Sequence, residues 1–325
     1  MRQMSITPVS SPLRAAFAIS RGSKSVAETI VVELIEDMHR GRGECVPYAR
    51  YDESAASVIA QIEDLRTALE GGLSREDLQD LLPAGAARCA VDCALWDLHA
   101  KQTGEPVWTL AGLTEPKPLP TTMTISLDTA DRMAEAARAT PATILKLKLG
   151  GPDDMDRVEA VHRARPNAKL VLDGNEGLVP EDFPELAVQA ANLGVVLIEQ
   201  PFPAGKDDAI ASRPQDVAVC ADESVHTRDD ISDLAKKYDA INIKLDKAGG
   251  LTEAVAMMED ARRAGMSTMV GCMVAGSLSM APALLLGQLA DMIDLDGPLW
   301  LDKDVPNGLH YADGTVFPPS RALWG

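Results

Sequence analysis

The sequence predicts an α/β protein, a (β/α)8-type barrel (a modified TIM barrel) preceded by an N-terminal α+β capping domain. From Thr121 onward, apolar strand-like runs begin near Thr121, Ile144, Lys169, Val195, Val217, Ala240, Ser267 and Asp291. Their spacing is about one strand plus one helix, and Ala-rich helical segments lie between most of them. Before Thr121 the order is strand, strand, then helices, which is a cap rather than a barrel repeat. Pro116, Pro118 and Pro120 mark the boundary. The expected domains are 1–115 for the cap, 120–304 for the barrel, and a Pro/Gly-rich tail, 305–325, packing back on the cap.

The cap begins with two strand-like segments, 17–20 and 29–35. Between them, 21–25 reads Arg-Gly-Ser-Lys-Ser, a Gly/Ser-rich, basic stretch that predicts a mobile loop. Residues 44–53 are polar and aromatic with Pro47 among them, a second loop. Specificity loops are therefore expected near 17–26 and 44–53. Ser54 precedes an amphipathic run, 55–69, that ends at Gly71 and Gly72. Ser74 can cap a short helix that stops before Pro83. Residues 86–101 carry Cys89, Val91, Cys93, Ala94, Trp96 and Leu98 on more than one face, which predicts a helix buried between domains.

Composition narrows the partners. Apolar residues make up 46% and aromatics 4% of the 325, so aliphatic side chains must fill the core. A net charge of −18 argues against nucleic acid or an anionic membrane, both of which call for a basic surface. No apolar run reaches ~18 residues. The N-terminus lacks a basic cluster followed by a long apolar core, so no signal peptide is expected. Five cysteines (Cys45, Cys89, Cys93, Cys220 and Cys272) without a CxxC pair argue against a disulfide scaffold or zinc ribbon. A reducing cytoplasm is the expected location. A homo-oligomer is left open.

The barrel strands end in charge, in a fixed order. Lys146 and Lys148 close the second strand, Asp173 the third, Glu199 the fourth, Asp222 the fifth and Lys244 the sixth. Parallel barrel strands point these ends at one face. Each carboxylate alone could cap a helix. Three at successive strand ends suit Mg²⁺, which takes hard oxygen ligands and keeps positions open. Asn175 and Glu223 stand beside these ligands and could orient them. Lys146 and Lys148 are two apart on a strand and point the same way. Lys244 lies across the ring, where it could pair with a carboxylate, form a Schiff base, or face Lys148 over a substrate. A metal between two opposed lysines suits removal of a proton α to a carboxylate, with Mg²⁺ stabilising the enediolate. Metal, ligands and a substrate carboxylate sum to about −2, so three lysines nearly balance the site.

These residues resemble the enolase superfamily in its muconate-lactonizing subgroup. Within it the chain is similar to the dipeptide epimerases, most closely to L-Ala-D/L-Glu epimerases. The resemblance covers nearly the whole chain. It is carried by Lys146-Leu-Lys148, Asp173-Gly-Asn175, Glu199-Gln-Pro201, Asp222-Glu-Ser224, Asn242-Ile-Lys244, Gly271-Cys-Met273 and the 294–298 segment, Asp-Leu-Asp-Gly-Pro. It implies one Mg²⁺ on Asp173, Glu199 and Asp222, acid/base lysines at Lys148 and Lys244, and support from Lys146 and Asn175. Asp294 and Asp296 resemble the motif that grips a dipeptide's amino terminus. Without a metal between them, two adjacent carboxylates point to a substrate ammonium as their counter-charge. Thr124, Cys272 and Met273 are expected to line the pocket. Arg21 or Lys24 is placed to meet a Glu side-chain carboxylate, with Tyr48, Arg50 and Tyr51 as further candidates. Gly174 stands where Ala is common.

The implied activity is Mg²⁺-dependent epimerisation of L-Ala-D/L-Glu-type dipeptides by two-lysine 1,1-proton transfer, in recycling of murein peptides. The alternative on the same scaffold is a lyase of the o-succinylbenzoate synthase or cycloisomerase type, which the Asp294/Asp296 pair argues against. A Schiff-base aldolase using Lys244 is disfavoured by the carboxylates. A non-enzymatic, metal-stabilised binding protein is disfavoured by the complete acid/base set.

Overall fold

The computed structural model describes residues 2–151, 153–212 and 216–325. In the cap, strands Gln3–Ile19, Gly22–Glu36 and His39–Cys45 form an antiparallel sheet in chain order. The first two make one long hairpin, paired from Gln3 opposite Ile35 to Ile19 opposite Gly22, with a register slip between Pro12 and Phe17. The expected loop at 21–25 is therefore mostly strand. Ser20 and Arg21 make the turn, while Gly22, Ser23 and Lys24 pair with Ile19, Ala18 and Phe17. The partner strand supplies the ladder that the polar sequence does not advertise, and the Lys24 ammonium lies 5.8 Å from the Phe17 ring centroid.

The third cap strand reads His-Arg-Gly-Arg-Gly-Glu-Cys and has no apolar alternation. Its glycines serve close approach. A Cβ on Gly41 or Gly43 would collide with backbone of Ala94 or Ala90, so the helix Ala86–Thr103 rests directly on the strand. On its other side the helix meets the barrel, where Arg88 donates to the Ala248 carbonyl at 2.8 Å and Trp96 to Thr252 at 2.9 Å. This burial on both sides is why its sequence is apolar nearly all round. The last residues also return to this helix. Trp324 Nε1 donates to the Cys93 carbonyl at 3.1 Å, and the Gly325 N–H donates to Asp97 at 2.7 Å. The run predicted at 55–69 breaks at Leu65 into Ala55–Asp64 and Arg66–Glu70. Ser54 caps the first piece, and Ser74 accepts the Asp77 N–H to cap Arg75–Leu81.

Eight parallel strands follow in chain order: Met123–Ile125, Ile144–Lys148, Lys169–Asp173, Val195–Glu199, Ala218–Ala221, Ala240–Ile243, Ser267–Val270 and Met292–Ile293. They begin within two residues of the expected starts. The sheet curls until its first and last strands meet, the Thr122 N–H donating to the Ile293 carbonyl at 3.0 Å. Val171, Leu197, Cys220, Ala240 and Met269 form a buried apolar cluster of their own, apart from the main core. Two residues further along four of these strands stand Asp173, Glu199, Asp222 and Asn242. Strand periodicity puts them on the same side, one layer up. An apolar plug thus seals the barrel below a charged layer at the C-terminal strand ends. Among the described residues, no helix is long and apolar enough to cross a membrane.

Candidate active site

The charged layer is a lattice of alternating sign. Lys146, 1% exposed, lies 3.1 Å from Asp173, 2.8 Å from Glu199 and 2.9 Å from Asp294. Burial disfavours its ammonium, but Asp294, Glu199 and Asp173 outweigh that and hold its pKa well above the usual lysine value. Lys148 contacts Asp173. Lys244 lies 2.6 Å from Asp222, which, against burial, holds it above the ordinary lysine range. Lys247 donates to the other Asp222 oxygen at 2.6 Å and to the Asn242 carbonyl at 3.1 Å. Asn242 donates to Glu199 at 2.9 Å. Gln200 accepts the Asp222 and Ser224 N–H groups at 2.8 and 3.1 Å, locking the loop that carries Asp222.

Glu199 is pushed up to about 7, by burial and then by Asp173. Its Oε2 accepts no hydrogen bond among the described residues and is met by Lys146 as an ion pair. Glu223 Oε2 and Asn175 Oδ1 are likewise buried without a hydrogen bond there. Asp173, Glu199 and Asp222 do not close into a metal cage among the described residues, and ammonium groups stand between them. The donor set nonetheless fits a hard divalent cation. Three buried carboxylates lie on adjacent strands, one of them pushed up by burial and then by Asp173 and holding an oxygen with no hydrogen bond among the described residues.

Above this layer lies a cavity of about 280 Å³. Arg21, Lys24, Tyr48, Tyr51, Lys148, Asn175, Asp222, Lys244, Cys272 and Met273 line it, with Phe17, Glu223 and others. Such a volume suits a small substrate. The second and sixth strands are four places apart in the eight-stranded order, so Lys148 and Lys244 enter from opposite sides. Burial, then Asp294 and Asp296, push the Cys272 thiol well up, so it stays protonated and lines rather than reacts.

Other expected residues lie elsewhere. Lys146, Asp173, Glu199, Thr124, Asp294 and Asp296 are buried and do not line the cavity. Asp294 is taken by Lys146 and the Thr122 hydroxyl. Lys146 is thus a counter-charge to Asp294 within the chain. Asp296 accepts the Thr124 N–H at 2.7 Å and Trp300 Nε1 at 3.3 Å, and is pushed up to about 6 by burial and by Asp294. Arg21 is engaged by Glu223 at 2.8 Å, the Asn175 carbonyl at 2.6 Å and Glu176 at 3.2 Å. Arg50 is held by Glu176. The Lys24 ammonium makes neither ion pair nor hydrogen bond among the described residues, and burial, then Lys148, lower its pKa.

Two residues of this region escaped the sequence reading. Lys247 stands three after Lys244, before Gly249 and Gly250, and a second lysine in so apolar a segment was the available signal. Glu176 had only its place three residues after Asp173.

Two family models match: "Mandelate racemase / muconate lactonizing enzyme, N-terminal domain" over residues 1–112 and "Enolase C-terminal domain-like" over 128–322. The L-Ala-D/L-Glu epimerase of Escherichia coli is 44% identical over 97% of this chain and 99% of its own. The N-acetyl-D-glutamate racemase of a Pseudoalteromonas species is 42% identical over 91% and 95%. An Agrobacterium tumefaciens enolase family member with homology to dipeptide epimerases, solved with sodium and L-Ala-L-Glu, is 44% identical and superposes over the full length of both chains with a TM-score of 0.98. A dipeptide epimerase of Enterococcus faecalis, solved with Mg and L-Leu-L-Tyr, is 26% identical over 98–99% of each chain, with a TM-score of 0.92.

Proposed function

The chain belongs to the enolase superfamily, in its mandelate racemase/muconate lactonizing branch, and is a dipeptide epimerase; from that premise we propose that its substrates are L-Ala-D/L-Glu-type dipeptides. The observation that carries this reading is one cavity bordered by Lys148, Lys244 and the unpaired Lys24. Lys148 and Lys244 take the α-proton from one face of the Glu residue and return a proton on the other. One must be neutral while the other is charged. Bringing a lysine from 10.4 to about 8 corresponds to ~3 kcal/mol of destabilisation of its cation. Lys146 and Lys148 meet on the same Asp173 oxygen, which sets two like charges side by side. Asp173, Glu199 and Asp222 would hold Mg²⁺, which when bound supplies positive charge beside the substrate carboxylate. Cytoplasmic recycling of cell-wall peptides is the proposed setting.

The test is a dipeptide library incubated in D₂O with purified enzyme, reading α-deuterium by mass spectrometry. Label should enter Ala-Glu peptides first, stop with EDTA and return with Mg²⁺. Preferential labelling of dipeptides without an acidic second residue would refute the assignment, as would full activity in metal-stripped enzyme.

Lys24 is proposed to read the Glu side-chain carboxylate, since Arg21 is already bound by carboxylates of its own chain. A charge-assisted hydrogen bond contributes about 1.5–3 kcal/mol. Lys24→Ala should therefore lower kcat/KM for L-Ala-L-Glu by roughly 10- to 100-fold and leave L-Ala-L-Met nearly unchanged, as initial rates on the two substrates will show.

A second reading, racemisation of N-acylated glutamate, is favoured by the N-acetyl-D-glutamate racemase at 42% identity. Asp296 separates the two. With Asp294 held by Lys146, Asp296 is the member of the pair with no lysine on it; its Oδ2 is taken by the Thr124 N–H and Trp300 Nε1, and the substrate ammonium is proposed to meet its other oxygen. Asp296→Asn should reduce kcat/KM for L-Ala-L-Glu by at least ~10-fold and leave N-acetyl-L-Glu almost unaffected. Wild-type turnover of N-acetyl-L-Glu faster than of the dipeptide would establish the second reading.

A further inference from the structure

We propose that Glu176 is a positioning residue for substrate selection, clamping both cap loops onto the barrel so that Lys24 stands at the cavity; this rests on the reading of Lys24 given above. Glu176 is not part of the cavity lining. Its carboxylate accepts two hydrogen bonds from Arg50, at 2.7 and 2.6 Å, and one from Arg21 at 3.2 Å. Arg50 lies in the second cap loop and Arg21 at the turn of the first hairpin. The same carboxylate accepts the Ala204 N–H at 2.9 Å, which ties it to the loop after the fourth barrel strand. One half-buried carboxylate thus joins four segments that are remote in sequence.

The backbone is shaped for the task. Asn175 and Glu176 are consecutive non-glycine residues with φ of 42° and 67°. Such a pair persists only where the surroundings over-determine it. Here the Glu176 N–H donates to the Gln200 carbonyl at 2.9 Å and the Gly177 N–H to the Gly174 carbonyl at 2.8 Å. The turn presents the Asn175 carbonyl to Ser20 Oγ at 3.1 Å and to Arg21 at 2.6 Å. Ser20 also sits against two glycines of the barrel. A Cβ on Gly150 would come within 3.0 Å of Ser20 Cα, and one on Gly177 within 3.0 Å of Ser20 Cβ. The hairpin tip therefore has a fitted seat, and Glu176 is its charged anchor. Lys24 lies three residues beyond Arg21 on the paired strand, so the seat fixes where its ammonium stands.

Two readouts test the proposal. In Glu176→Gln, and independently in Arg50→Gln, the preference for L-Ala-L-Glu over L-Ala-L-Met should shrink by at least ~5-fold, mostly through KM for the Glu peptide. Trypsin should cut after Arg21 or Lys24 at least ~5-fold faster than in wild type, with an unchanged thermal midpoint. A merely structural ion pair would depress both substrates equally and lower the midpoint, and that result would overturn the proposal. Lys24→Ala run in parallel separates the two claims. If it keeps the Glu preference, the Lys24 reading fails. Glu176 as anchor then stands or falls on the trypsin rates, and rates equal to wild type refute it.

Discussion

Lys148→Ala and Lys244→Ala are each expected to lower epimerisation of L-Ala-L-Glu by at least ~10³-fold, while each still exchanges the α-proton of one isomer with D₂O. The size follows from the work assigned to a positioned acid or base, typically 10²–10⁴-fold. Inversion needs both groups, one to remove the proton and one to deliver another from the opposite side. Exchange without inversion needs only one. The two lysines stand on strands four places apart in an eight-stranded ring and border the same cavity, the arrangement that the proposed two-base scheme requires. Their surroundings also differ. Lys148 contacts Asp173, and Lys244 has Asp222 on one side and the open cavity on the other. Measured separately on L-Ala-L-Glu and L-Ala-D-Glu, the two mutants should retain exchange on opposite isomers. Retention on the same isomer, or residual inversion in either mutant, would rule out the two-base scheme.

The barrel was legible because its signal is periodic. The strands are largely buried and strands two to six end in charged residues, so apolar runs and charges recur at one spacing, and strand starts could be read within two residues. The site's charged residues were legible for the same reason, since strand ends converge. What escaped depends on contacts between segments far apart in sequence. The third cap strand is written in Arg and Gly because a helix backbone rests on it, and no periodicity marks that. Residues 21–25 looked like a loop because the ladder that orders them comes from the partner strand. Lys146 and Asp294 are 148 positions apart, and their pairing follows from barrel closure alone. Glu176 carries no local signal, because its partners come from three other loops.

Lys146→Met should be the most destabilising single change in the site, and its effect should depend on pH and on Mg²⁺. Lys146 is buried against Asp173, Glu199 and Asp294. Methionine fills a similar volume but leaves three buried carboxylates without that charge. Removing one partner of a buried ion pair costs about 3–5 kcal/mol, or a melting temperature lower by roughly 5–10 °C for a chain of this size. The sign with pH follows from the carboxylates. In wild type, Asp294 is held below its ordinary value: burial opposes this, but Lys146 and the Thr122 hydroxyl prevail. That contribution is present above the unfolded carboxylate pKa and is lost as pH falls through the folded value. Without Lys146, burial raises the carboxylates instead, so the mutant loses stability as pH rises through their new values. The gap between the two proteins should therefore widen from pH 5 to pH 8 in EDTA. Mg²⁺ is expected to bind the folded state and should raise the mutant's melting temperature more than the wild type's, because Glu199 then lacks its ammonium competitor and Asp173 keeps only Lys148. Activity should stay at least ~100-fold down even with Mg²⁺, since the ion does not restore the cation beside Lys148. Melting curves at pH 5 and 8, each with EDTA and with Mg²⁺, decide the matter. A gap that is flat or narrows with rising pH would show that Lys146 does not neutralise this cluster.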